Sequence, residues 1–147
     1  MRLLTKEQAH KLDQIAIDEH KILGTTLMQN AGKNIATFVQ SELIKTHNPK
    51  IGIVCGKGNN GGDGFATGSI LKDQGFIVSI YCLSPIKDLS IDSLFFHDLC
   101  IKKGISIFYE IVLPQFLPDF DLMIDAIVGT GFSGELNQAL VPWTKWL

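Results

Sequence analysis

Apolar residues along this chain recur first at helical spacing and then in alternating blocks, with the change of period near Pro49. In the first part, Ala9, Leu12, Ile15 and Ala16 predict a helix from Thr5 to about His20. Met28, Ala31, Ile35, Phe38, Val39 and Leu43 predict a second, longer one. Thr5 with Gln8, and Thr26 with Gln29, read as capping boxes, in which hydroxyl and amide side chains satisfy first-turn donors. Gly24 separates the two helices. His47-Asn48-Pro49 stops the second, because the residue before a proline avoids helical geometry.

Beyond Pro49 the blocks alternate. Residues 51–55 predict a buried strand and 65–74 a helix ended by Gly75; 76–83 predict a second strand, followed by a Ser84-Pro85 loop. Residues 92–103 predict a helix closed by Gly104, 105–109 a short strand, 113–118 a proline-bounded connector, and 120–124 a fourth strand. Residues 125–131 form a glycine-punctuated loop, and 141–147 open a helix with Pro142 at a tolerated early position. Strands alternating with helices imply an α/β fold, Rossmann-like and doubly wound, mainly parallel, with helices on both faces and two helices in front. One domain, 1–147, is expected. Four strands make a small sheet and the last helix has no cap, so a C-terminal part of that domain is expected to be missing.

Composition narrows the function classes. With 46% hydrophobic and 19% charged residues in 147, the chain reads as one compact domain with a core of its own. A net charge of −2 argues against a broad nucleic-acid or membrane-surface role, so a phosphate ligand would have to be held by local dipoles. No apolar run approaches the ~20 residues of a membrane span. The N-terminus turns polar within five residues, unlike a secretory leader. Cys55, Cys82 and Cys100 lack metal-ligand spacing and read as reduced, buried residues of a cytoplasmic protein. His10, His20, His47 and His97 have no acid or nucleophile in view and read as surface residues. Met28 and Phe38 read as core, and at least one ring of Phe95-Phe96 is expected to be buried.

The candidate chemistry lies in the two loops that follow strands. Residues 56–64 are nine positions, five of them glycine, between a strand and a helix, an arrangement that bares backbone amides to a phosphate. Gly56, Gly58 and Gly61 match GxGxxG, yet the second strand ends Tyr81-Cys82-Leu83-Ser84 without the acid that would hold a ribose, which disfavours a dinucleotide-dependent oxidoreductase. Asn59, Asn60 and Asp63 add polar atoms beyond the needs of a turn. Asn60 and Asp125 should reach the same sheet edge, where an amide oxygen and a carboxylate could share a hard cation. Gly129, Thr130 and Gly131 offer a second amide-rich wall. Bland alternatives stand beside these readings: Asn59 and Asn60 as turn residues, Asp125 as a cap after a strand, and Lys57 as a solvated loop residue.

KGNNGGDG, DAIVGTG and the upstream Leu27-Met28-Gln29-Asn30-Ala31-Gly32, in this order, resemble the YjeF N-terminal domain, the NAD(P)H-hydrate epimerase family. The resemblance implies an isomerase that interconverts R- and S-NADHX and NADPHX, the hydrated nicotinamide cofactors, so that a separate dehydratase can repair the S form. It implies substrate contacts at Asn59, Asn60, Gly61, Gly62 and Asp63. It also implies contacts at Gly129, Thr130, Gly131, Phe132, Ser133, Gly134 and Glu135. Asn60 and Asp125 would bind a potassium ion, with Asp125 in an electrostatic role, and the assembly would be a homodimer. The family continues into a segment resembling D-I-P-S-G, which supplies a further acid and a further potassium ligand. This sequence ends before it, so low activity of the chain alone is expected. Asp63 is expected to hold the glycine loop through backbone hydrogen bonds. The competing reading is a non-catalytic nucleotide-binding or interaction scaffold of the same fold.

Overall fold

The computed structural model describes residues 4–43, 47–109 and 118–147. Helix α1 (Lys6–Asp18) begins where the capping box predicts. The Thr5 hydroxyl accepts the Gln8 N–H at 3.3 Å, and Gln8 Oε1 accepts the Thr5 N–H at 2.9 Å. Helix α2 (Gly24–Glu42) starts two residues ahead of Thr26 from the N-cap Leu23, so the second capping box does not form. Its buried stripe is Met28, Gly32, Ala36 and Val39. Small residues set that stripe: a Cβ at Gly32 would come within 2.8 Å of the Thr67 nitrogen on the next helix. The rotation leaves Phe38 62% exposed, outside the core expected for it.

Four strands follow: β1 (Lys50–Cys55), β2 (Ile77–Cys82), β3 (Ser106–Phe108) and β4 (Leu122–Ala126). They form one parallel sheet in the order β3-β2-β1-β4, with Val54 registered against Tyr81 on one side and Asp125 on the other. Helices α3 (Asn59–Asp73) and α4 (Ile91–Lys102) cover one face, with α2 packed on α3; α5 (Val141–Trp146) lies on the other. A short 3-10 turn, Ile86–Asp88, precedes α4. The fold is thus α/β with a parallel sheet and two leading helices. The connector expected at 113–118 lies, except for Pro118, outside the described residues.

Two further boundary shifts matter for the site. Helix α3 begins at Asn59 and not at Phe65, so the glycine-rich run is the first turns of a helix. Glycine's low helix propensity argues for a loop there. Tertiary packing overrides it: Gly61, Gly62 and Gly64 are all buried, and a Cβ at Gly61 would overlap the Gly56 carbonyl. Strand β4 is displaced toward the C-terminus of its expected span, which puts Asp125 inside the strand.

The larger cluster buries Ile51, Ile53, Phe65, Leu71, Ile80 and Phe96 between sheet and helices. Phe96 is the buried ring of its pair, and Phe95 is exposed. On the opposite face Trp143 is fully buried against Tyr81 and Val54. The three cysteines are buried and unpaired. His97 is also buried, contrary to its expected surface placement. Its ring nitrogens lie 2.9 Å from Asp98 Oδ1 and 2.8 Å from the Tyr109 hydroxyl, and those contacts compensate its burial.

Candidate functional site

In a parallel α/β sheet, ligands collect beyond the carboxyl ends of the strands. At that edge a cleft of about 620 Å³ opens between Lys57, Gly58, Asn59, Asn60 and Asp63 on one side and residues 127–132 on the other; Ala9, His10 and Asp13 of α1 complete its lining. The N-terminus of α3 faces this space. The first amides of a helix have no intrahelical acceptor and carry the positive end of its dipole, so an anion is favoured there. Gly58, its N-cap, gives no competing side chain.

The glycines make the close approach possible. A Cβ at Gly56 would overlap the Ile127 carbonyl, so glycine is what lets the exits of β1 and β4 touch. Gly61 and Gly62 face inward, toward the Gly56 carbonyl and toward Met28 and Ser93. They hold α3 close and do not line the cleft.

Asn60 Nδ2 donates to the Val128 carbonyl at 3.1 Å, which ties the two motif loops together. Asp125 grips the same segment from behind: its Oδ1 accepts the Ile127 N–H at 3.0 Å. Successive strand residues point to opposite faces. Ala126 faces α3, its Cβ lying 2.7 Å from where a Gly64 Cβ would be, so Asp125 leaves β4 on the other face and does not line the cleft. As oxygen donors for a hard cation, Asn60 and Asp125 are chemically apt. The Asn60 nitrogen is committed to Val128, which leaves Oδ1 as the available atom, and Asp125 keeps a second carboxylate oxygen.

Asp63 does not act as expected. No backbone hydrogen bond to its carboxylate is present among the described residues; its carbonyl accepts the Thr67 hydroxyl at 2.7 Å. The half-buried carboxyl lines the cleft, and burial, then the neighbouring Asp13 carboxylate, pushes its pKa up to about 6. The 129–135 segment divides: Gly129, Thr130, Gly131 and Phe132 line the cleft, whereas Ser133, Gly134 and Glu135 are exposed beyond it.

Some supporting residues carry no motif. Ser90 Oγ lies 3.1 Å from Asn59 Oδ1 and 2.8 Å from Ser93 Oγ, and the Ser93 hydroxyl donates to the Gly58 carbonyl at 2.9 Å. The α4 N-cap thus braces the start of α3. His10 and Asp13 were equally hidden, since nothing in the sequence relates α1 to a loop over forty residues away.

The model of the family described as YjeF-related protein N-terminus matches residues 24–147. The chain belongs to that family. This YjeF-related domain is 32% identical to an NAD(P)H-hydrate epimerase of Elusimicrobium minutum over 146 residues, spanning 94% of this chain and 65% of that protein. It is 33% identical to an NAD(P)H-hydrate epimerase of Entamoeba histolytica over 142 residues, spanning 93% of this chain and 59% of that protein. A bifunctional NAD(P)H-hydrate repair enzyme Nnr of Archaeoglobus fulgidus is 41% identical over 113 residues, covering 76% of this chain and 22% of the relative. The chain therefore spans less than two thirds of the length of these relatives. The crystal structure of yeast ynu0, YNL200c, shares the fold, with a TM-score of 0.76 over 99% of this chain and 63% of that one at 15% identity.

Proposed function

We propose that this YjeF-related domain epimerises NAD(P)HX, interconverting the R and S forms of hydrated NADH and NADPH. The observation that carries the reading is the cleft itself. The amide-rich N-terminus of α3 and the 129–132 wall meet there, in a family whose curated members are named for this activity. The first-turn amides of α3 and the side chain of Lys57 receive the substrate's diphosphate. Asn59 and Asn60 bond its polar edges, and Phe132 gives an apolar surface for a ring. Inverting the hydrate carbon requires loss and return of its hydroxyl group, assisted by the lone pair of the adjacent ring nitrogen.

Asn60 and Asp125, with carbonyls of the 127–129 segment, would hold a potassium ion. When bound, that ion supplies positive charge at the junction of the two loops. Asp125 then acts electrostatically and through its grip on the Ile127 amide. We place the protein in the cytoplasm as a homodimer, in partnership with an NAD(P)HX dehydratase; the bifunctional repair enzymes among its relatives fit that coupling. No helix among the described residues is long and apolar enough to cross a membrane.

The test is single-turnover incubation of the chain with R-NADPHX in potassium and in tetramethylammonium buffer, with the epimer ratio followed by chromatography. Faster approach to equilibrium than in buffer alone, and faster in potassium, is expected. A ratio that follows the spontaneous rate overturns the proposal.

A further inference from the structure

Of the two acids that the loop motifs single out, only one reaches the cleft. Asp125 is exposed on the far face of β4, with one carboxylate oxygen spent on the Ile127 N–H. Asp63, one turn further into α3 than Asn60, is half-buried on the cleft wall, and its carboxylate accepts no hydrogen bond among the described residues. Facing it from α1 is a second carboxylate, Asp13.

Building on the proposed epimerase reading, we infer that Asp63 is a catalytic residue that gives and takes the proton of the migrating hydroxyl group, and that Asp13 is a positioning residue that keeps this proton on Asp63 through its like charge.

The geometry meets the chemical demand. As the C–O bond of the hydrate breaks, the hydroxyl needs a proton to leave as water, while the ring nitrogen supplies the electron pair and becomes cationic. On return, a water forms the new C–O bond and must lose that proton. The same group can serve both steps, restoring itself, if it is protonated for a useful fraction of the time near neutral pH. An ordinary carboxylate is not. Burial on the cleft wall and a second carboxylate nearby each favour the protonated form, and both act on Asp63. The ionisable groups that face the cleft are His10 and Asp13 from α1, Lys57 from the β1–α3 junction and Asp63 itself; residues 127–132 bring none. Where α2 and α4 meet the start of α3 they present Met28 and Ser93, which carry no charge. Asp13 is thus the acid placed to oppose ionisation of Asp63.

The experiment compares the wild-type chain with Asp63→Asn, Asp63→Glu and Asp13→Asn for single-turnover epimerisation between pH 5 and 9 and for NADP affinity by calorimetry. Asp63→Asn is expected to lose at least a hundredfold in rate with affinity kept within about threefold, the range typical of a removed general acid–base. Asp63→Glu should recover part of the rate. Asp13→Asn should move the alkaline limb of the rate profile to lower pH, a change that a merely structural role would not produce. An Asp63→Asn chain within threefold of wild type, or an Asp13→Asn profile that does not move, overturns the inference while the epimerase reading stands. A wild-type chain that binds NADP but does not accelerate epimerisation overturns both.

Discussion

The amide of Asn60, in the first turn of α3, donates to the Val128 carbonyl 68 positions away at 3.1 Å and so joins the two loops that form the cleft. On the other side of that segment Asp125 holds the Ile127 amide. The two motif residues meet through the backbone between them. Asn60→Ala removes the tie and the oxygen proposed for potassium. A loss of about 1 kcal/mol in stability by urea denaturation is expected, the usual size of one hydrogen bond. In the epimer assay the same variant should lose its response to potassium; an Asn60→Ala chain that still responds would remove Asn60 from the ion site.

Gly56→Ala tests the contact between the β1 and β4 exits. The added methyl group would meet the Ile127 carbonyl, part of the backbone and unable to rotate aside. A cost of about 1–3 kcal/mol is expected from overpacking, read as a lower urea midpoint with unchanged slope. Gly58→Ala is the control, since its added methyl group would have nothing within 4 Å.

The position of the two loops at the strand ends was legible in the sequence and their geometry was not. The strand–glycine–helix succession marked the passage from β1 into α3, and the parallel sheet followed from the alternation of blocks. The start of α3 was hidden, because glycine's weak helix propensity hides a helix whose packing demands glycine at positions 61, 62 and 64. The exposed Phe38 and the buried His97 fail for a related reason. Each is decided by the helix rotation or hydrogen-bond partner that tertiary packing supplies, and residue type alone does not carry that. Ser90, Ser93 and Asp13 stand at long sequence separation from the loop they serve, so no local pattern could mark them.

Asp63 makes stability depend on pH. Its folded pKa, about 6, lies above that of an unfolded aspartate, so the native state holds the proton more tightly. Its stabilising contribution is full below about pH 4 and is lost as pH rises through about 6. Asp63→Asn should therefore be more stable than wild type at pH 7.5, by about 1 kcal/mol once solvent screening of a half-buried group is allowed for, and the advantage should fade toward pH 4. Thermal denaturation across that range checks the sign.

Tyr109→Phe tests the buried histidine. It deletes the hydroxyl 2.8 Å from His97 Nε2 without changing shape, leaving a buried ring nitrogen unpaired. A loss of about 1–3 kcal/mol is expected, with NADP affinity unchanged because neither residue lines the cleft.

In the proposed function the α3 N-terminus and the 129–132 segment form one site for a nicotinamide dinucleotide. Backbone amide chemical shifts recorded during titration with NADP test it most directly. The largest shifts are expected at Asn59, Asn60, Asp63 and Gly129 to Phe132, with smaller ones at His10 and Asp13. Saturable shifts confined to other parts of the fold, or none at millimolar ligand, would contradict it.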